Sequence, residues 1–102
     1  MALCFYFAPQ SFSKEQYDEA IRRLDAAGQG APAGRSYHCA FTGEGGLNVF
    51  DVWDSQESFD KFGETLIPIM TELGTDPGEP MVAEIHNAVS YTHLTLPTNR
   101  EV

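Results

Sequence analysis

The sequence predicts an α+β domain of plan β-α-β-β-α-β, a four-stranded antiparallel sheet with both helices on one face. Three observations predict it. Short aromatic-rich runs bounded by Pro and Gly mark the strands. Two stretches with apolar residues at helical spacing separate the first run from the second and the third from the fourth. A glycine turn in HCAFTGEGGLNVFDVW, residues 38–53, folds the second strand back on the third. That order is the ferredoxin-like arrangement.

Each element has its own signal. Ala2 to Ala8 alternates aromatic and small residues, and Pro9 ends it. Ser13 with Gln16 makes a capping-box pattern, after which Tyr17, Ala20, Ile21, Leu24 and Ala27 recur at helical spacing. Gly28 closes that helix, and GQGAPAG is its loop. Arg35 to Thr42 reads as the second strand and Leu47 to Asp54 as the third. Ser55 caps a second helix whose inner stripe is Phe59, Phe62, Leu66, Ile69, Met70 and Leu73. Pro68 removes a backbone donor inside it, which predicts a kink or a break near Thr65. Gly74 and TDPGEP end the helix, and Met81 to Asn87 reads as the fourth strand.

A chain of 102 residues is enough for one domain, and 42% hydrophobic residues suffice for a packed core. The net charge of −9 repels phosphate backbones and anionic lipid, and Arg22 and Arg23 are the only adjacent cations. Nucleic-acid and membrane-surface partners are excluded on that ground, and the acidity reads as a solvated surface. Cys4 and Cys39 read as small buried hydrophobes, with a disulfide as the alternative. MALCFYFA lacks the basic start of a secretion signal, and no apolar run is long enough to span a bilayer. The expectation is a cytoplasmic protein.

The stretch VSYTHLTLPTNREV, residues 89–102, loses the apolar periodicity. Its first ten residues, VSYTHLTLPT, are similar to a one-frame translation of a common transposase-type sequencing adapter. Residues 89–102 are therefore read as a non-native, assembly-derived tail, and residues 1–88 as the domain. His93 falls in the tail and is not a candidate. The alternative is a genuine C-terminal strand using Tyr91, Leu94 and Leu96.

The central hairpin carries the chemistry. A turn centred on Glu44-Gly45 sets His38 opposite Asp51, Ala40 opposite Val49 and Ser36 opposite Trp53, all on one face. Tyr37, Cys39, Phe41, Asn48, Phe50 and Val52 take the other face. A one-residue slip would put His38 and Asp51 on different faces. A carboxylate beside an imidazole fixes one tautomer, and such a pair abstracts a proton from a phenol or an activated C–H. Trp53 on the same face would stack on a flat substrate, and Tyr6 would add a hydroxyl if its strand shares that face. His86, near the end of the fourth strand, faces either the pocket or a subunit seam. Tyr17 reads as core. The bland reading of His38 and Asp51 is a satisfied polar pair that fixes strand register. The GEGG turn opens no helix and is not a phosphate loop, no Cys/His spacing fits zinc, and no Gly-x-Ser-x-Gly elbow is present.

The strands offer apolar side chains on both faces, Leu3, Phe5 and Phe7 against Cys4 and Tyr6, whereas the helices cover only one. The economical cover for the second face is a copy of the chain, in a two-fold homodimer. The element order, the two-faced sheet and the run GLNVFDVWDSQESFDKF resemble the dimeric α/β-barrel superfamily, which includes antibiotic-biosynthesis-type and haem-degrading monooxygenases. The resemblance implies a pocket between sheet and helices and a small hydrophobic or aromatic ligand. The leading expectation is cofactor-independent, monooxygenase-like chemistry with His38 as general base, Asp51 as its orienting partner, and Trp53, Tyr6 and His86 around the substrate. The alternatives are a non-catalytic ligand-binding or dimerisation module, and a haem-binding protein with His38 or His86 as axial ligand.

Overall fold

The computed structural model describes residues 2–89. Over these the chain forms β1 (Leu3–Phe7), α1 (Lys14–Ala26), β2 (Arg35–Gly43), β3 (Gly46–Trp53), α2 (Gln56–Glu72) and β4 (Met81–Glu84). The strands make one antiparallel sheet in the order β2-β3-β1-β4, the ferredoxin-like plan expected from the sequence. The proposed tail lies outside the described residues, except for Val89. β4 ends at Glu84, three residues short of the expected Asn87. No helix among the described residues is long and apolar enough to cross a membrane.

Both helix starts form as their spacing requires. Ser13 Oγ accepts the Gln16 N–H at 3.0 Å while Gln16 Oε1 accepts the Ser13 N–H at 2.9 Å. Ser55 Oγ accepts the Ser58 N–H at 3.1 Å. Such a cap stabilises by about 1 kcal/mol. The expected break near Thr65 does not occur: α2 runs unbroken through Pro68. Pro68 sits on the exposed side, so the missing donor leaves only the carbonyl of exposed Glu64 without its helix partner, where water reaches it.

Alternation along the strands sorts the side chains. Leu3, Phe5 and Phe7 of β1 and Leu47, Val49, Asp51 and Trp53 of β3 face the helices. Phe5 and Trp53 are fully buried there and pack with Phe7, Leu24 of α1 and Phe62 of α2. Burial of one such side chain contributes about 1.5–3 kcal/mol. A second cluster, Phe12, Ala20, Leu47 and Met70, closes the other end of the same layer. The opposite sheet face carries Cys4, Tyr6, Tyr37, Cys39, Phe41, Asn48, Phe50 and Val52, with Tyr37 54% and Phe41 39% exposed. The cysteines are thus free, half-buried thiols on this open face rather than core residues. They stand on β1 and β2 with β3 between, about 10 Å apart, too far for a disulfide.

Two features fix the hairpin. At its tip Gly43 pairs with Gly46, and the Leu47 N–H donates to the Phe12 carbonyl at 2.8 Å. Gly46 has φ +134°, and a Cβ there would sit 2.5 Å from that carbonyl oxygen, so the close approach requires glycine. At its base β2 is bulged: Arg35 pairs with Trp53 and Tyr37 with Val52, leaving Ser36 as the extra residue. The expectation that Ser36 faces Trp53 is therefore corrected. Arg35 takes that place, while His38 still pairs with Asp51.

Candidate functional site

His38 and Asp51 are direct cross-strand partners on the helix-facing side of the sheet. Nδ1 of His38 lies 2.6 Å from Oδ1 of Asp51. Asp51 is 3% exposed, the only buried charged residue among those described. A buried carboxylate needs its lone pairs met. The second oxygen of Asp51, Oδ2, accepts the indole N–H of Trp53 at 3.3 Å, two residues further along β3. The far nitrogen of the imidazole, Nε2, lies 2.7 Å from the Tyr17 hydroxyl of α1. The Tyr17 and His38 ring planes are within 3° of parallel, with centroids 5.9 Å apart.

These partners set the proton positions. Asp51 as a carboxylate only accepts, so Nδ1 carries the hydrogen, and in the neutral ring Nε2 accepts the Tyr17 O–H. Once Nε2 is protonated it donates to the Tyr17 oxygen, and the phenol hydrogen is free to turn outward. Trp53, Asp51, His38 and Tyr17 thus form one hydrogen-bonded chain, an arrangement that can pass a proton between the Tyr17 oxygen and the imidazole. Burial pushes the Tyr17 phenol above its ordinary value of 10. The Arg35 guanidinium opposes that rise, and the Asp51 and Asp18 carboxylates add to it.

The chain ends at a partly enclosed cavity of about 60 Å³ between the sheet and the helices. Its polar wall is Tyr17, Arg35, His38 and Asp51; the rest is apolar, including Phe12, Phe59 and Met70. An apolar cavity of about 150 Å³ holds benzene. A ring-sized ligand therefore enters only as lining side chains move. Pro77, in the stretch 75–80 without regular structure, and Pro9, just past β1, are parts of the wall that no helix or strand holds.

The site departs from the sequence reading at several residues. Trp53 is fully buried behind Asp51, against Phe59 and Phe62 at ring-centroid distances of 5.6 and 5.2 Å, and does not line the cavity. It holds the carboxylate rather than a ligand. Tyr6 is on the open face, where its hydroxyl accepts from Asn48 Nδ2 at 3.0 Å and its ring lies 6.2 Å from that of Phe41. Odd and even positions of β1 face opposite ways, and Phe5 and Phe7 take the helix side. His86 lies beyond β4, exposed and outside the cavity. Tyr17 and Arg35 were not foreseen. The signal for Tyr17 was a hydroxyl on the inner stripe of an otherwise apolar helix face; Arg35 had none, because the bulge that turns it inward leaves no mark in the pattern.

The haem alternative does not fit this cavity. Both nitrogens of His38 are engaged, His86 is elsewhere, and the space is far smaller than a macrocycle. Among the described residues no three His, Cys, Asp or Glu side chains gather in a way that would hold a metal ion.

No protein-family model matches the chain, and no curated protein matches its sequence. Solved structures do match in shape. The structural-genomics protein YJCS aligns with TM-score 0.60 and 11% identity over 84% of this chain and 100% of that one. Rv0793 from Mycobacterium tuberculosis aligns with TM-score 0.57 and 17% identity over 87% and 97%. SnoaB, a cofactor-independent oxygenase from Streptomyces nogalater, aligns with TM-score 0.56 and 14% identity over 88% and 96%. Near-complete cover of both chains at such low identity is a likeness of fold: this chain has the α+β, ferredoxin-like fold of the dimeric α/β-barrel proteins.

Proposed function

We propose that this chain binds a small, flat or hydrophobic molecule in the cavity and removes a proton from it, in the manner of a cofactor-independent monooxygenase. One observation carries the reading: the hydrogen-bonded chain from Trp53 through Asp51 and His38 to Tyr17 ends at an otherwise apolar cavity. The fold likeness to SnoaB, a cofactor-independent oxygenase, supports the same class of chemistry. His38 is the base and Asp51 orients it. The Tyr17 oxygen takes the proton of an acidic O–H or C–H while its own hydrogen passes to Nε2. The imidazolium so formed is paired with the Asp51 carboxylate.

The substrate anion then supplies the electrons for its own oxidation. Dioxygen is the oxidant. An activated CH₂ becomes C=O, one oxygen atom entering the product and the other leaving as water with the two hydrogens. Dioxygen uptake in the presence of phenols and enolisable aromatic ketones tests this. Uptake that disappears in His38→Ala while the fold is kept supports the reading. Uptake equal in the two proteins contradicts it.

A second reading is favoured by the closure of the network. With Nε2 satisfied by Tyr17 and only about 60 Å³ free, His38 and Asp51 also suit a structural pair in a binding or assembly module. In either case the open sheet face, with Tyr37 and Phe41 exposed, is suited to a second copy of the chain, giving a homodimer sheet against sheet.

A further inference from the structure

Arg35 is the polar group of the cavity wall that the proton chain does not use. Its guanidinium carbon lies 6.0 Å from the centroid of the Trp53 ring and 5.5 Å from that of Phe62, both buried. None of the ion pairs among the described residues includes it. Its one side-chain hydrogen bond there is long, 3.5 Å to the Gly30 carbonyl. Arg22 and Arg23, by contrast, both pair with Glu19 on the surface. A half-buried guanidinium over two aromatic rings, with no carboxylate partner among the described residues, in a chain of net charge −9, has most of its five donors uncommitted there.

The backbone supports this independently. Regular pairing of β2 with β3 would set Ser36 opposite Trp53. The bulge at Ser36 instead places Arg35 there, on the same face as His38. Bulges of this kind re-aim a side chain. Here the result is a cation on the wall that also carries Tyr17 and His38.

We infer that Arg35 is an anion-binding residue of the cavity and that its ligand is a flat apolar molecule bearing an oxyanion. The inference rests on the cavity being a ligand site, as proposed above. It adds the charge of the ligand and the group that meets it. The oxyanion is either a phenolate or enolate, which proton removal at Tyr17 would generate beside the guanidinium, or a carboxylate that the ligand brings with it. The guanidinium fork accommodates both oxygen patterns, and its charge stabilises either in a wall that is otherwise largely apolar.

Three small probes separate the outcomes: 4-nitrophenolate, 4-nitrobenzoate and uncharged nitrobenzene. Binding is read from the single indole N–H resonance, since Trp53 is the only tryptophan and lies against Arg35. The expected result is that one anion or both bind the wild-type protein about tenfold more tightly than nitrobenzene. Arg35→Gln loses that preference while still binding nitrobenzene, and Arg35→Lys keeps part of it. Preference for 4-nitrophenolate alone assigns the phenolate or enolate, and preference for 4-nitrobenzoate alone assigns the standing carboxylate. Nitrobenzene bound as tightly as both anions, or an anion preference that survives in Arg35→Gln, overturns the inference and leaves the cavity as a neutral ligand site. No binding of any probe to the wild-type protein overturns the ligand-site reading together with it.

Discussion

The Tyr17 hydroxyl and His38 Nε2 lie 2.7 Å apart, so the far nitrogen of an imidazole on the cavity wall meets a phenol carried by α1. Any proton that His38 takes from a bound molecule by this route crosses the Tyr17 oxygen. Tyr17→Phe keeps the ring that packs against Phe12 at a centroid distance of 6.0 Å and removes only the hydroxyl. We expect a folded protein destabilised by about 1 kcal/mol, the value of one hydrogen bond. Denaturant titration measures it.

Asp51→Ala is expected to cost more than Tyr17→Phe. Asp51 accepts from both His38 and Trp53, and its removal strands a fully buried indole N–H as well as the imidazole. Each unmet buried group costs about 1–3 kcal/mol. In a domain of this size 1 kcal/mol lowers Tm by roughly 4–8 °C, so calorimetry should show a fall larger than in Tyr17→Phe.

Two groups each contribute to one limb of the stability–pH curve. Glu19 accepts hydrogen bonds from Arg22 and Arg23, which lower its carboxyl from 4.5 to about 2. A lowered carboxylate contributes above its unfolded value, and the contribution is lost as pH falls from 4.5 toward 2. Burial raises the Tyr17 phenol, so the folded chain holds that proton more firmly. That contribution is complete below pH 10 and is lost as pH climbs from 10 through the raised folded value. Chemical denaturation across pH should show a flatter acid limb for Glu19→Gln and a flatter alkaline limb for Tyr17→Phe. The acid effect should be small and reduced by salt, because the Glu19 pairs are exposed.

The open sheet face yields a prediction about assembly. Phe41 is 39% exposed there, beside Tyr6, and touches neither the cavity nor the helix layer. Phe41→Lys should shift a dimer to monomer in sedimentation velocity while far-UV circular dichroism is unchanged. A wild-type chain that already sediments as a monomer at high micromolar concentration contradicts the dimer proposal.

Much of this was legible in the residues because the relevant periods are short. Strand alternation and a two-residue turn are enough to set His38 against Asp51, and the cap at Ser13 follows from a spacing of three. What was not legible depends on depth and on backbone irregularity. Alternation puts Trp53 on the same face as Asp51 but does not say that the indole lies under the carboxylate rather than beside a ligand. Tyr17 comes from another element, and its partner depends on how α1 sits over β2. Arg35 enters the cavity through a one-residue bulge, which shifts the face of everything before it and leaves the hydrophobic pattern unchanged. Pro68 misled because its cost depends on whether the carbonyl it strands is buried, and in α2 that carbonyl meets solvent.

The most direct test of the central claim is proton removal itself, measured without dioxygen. Deuterium incorporation at the acidic carbon of 2-tetralone, an enolisable aromatic ketone, is followed by NMR in D₂O with the wild-type protein, Tyr17→Phe and His38→Ala. The account predicts exchange accelerated by the wild-type protein, and about 100-fold slower or more in either variant, as for the loss of a general base. Exchange at the same rate in all three would contradict it, and would leave Tyr17, His38 and Asp51 as a polar brace between helix and sheet.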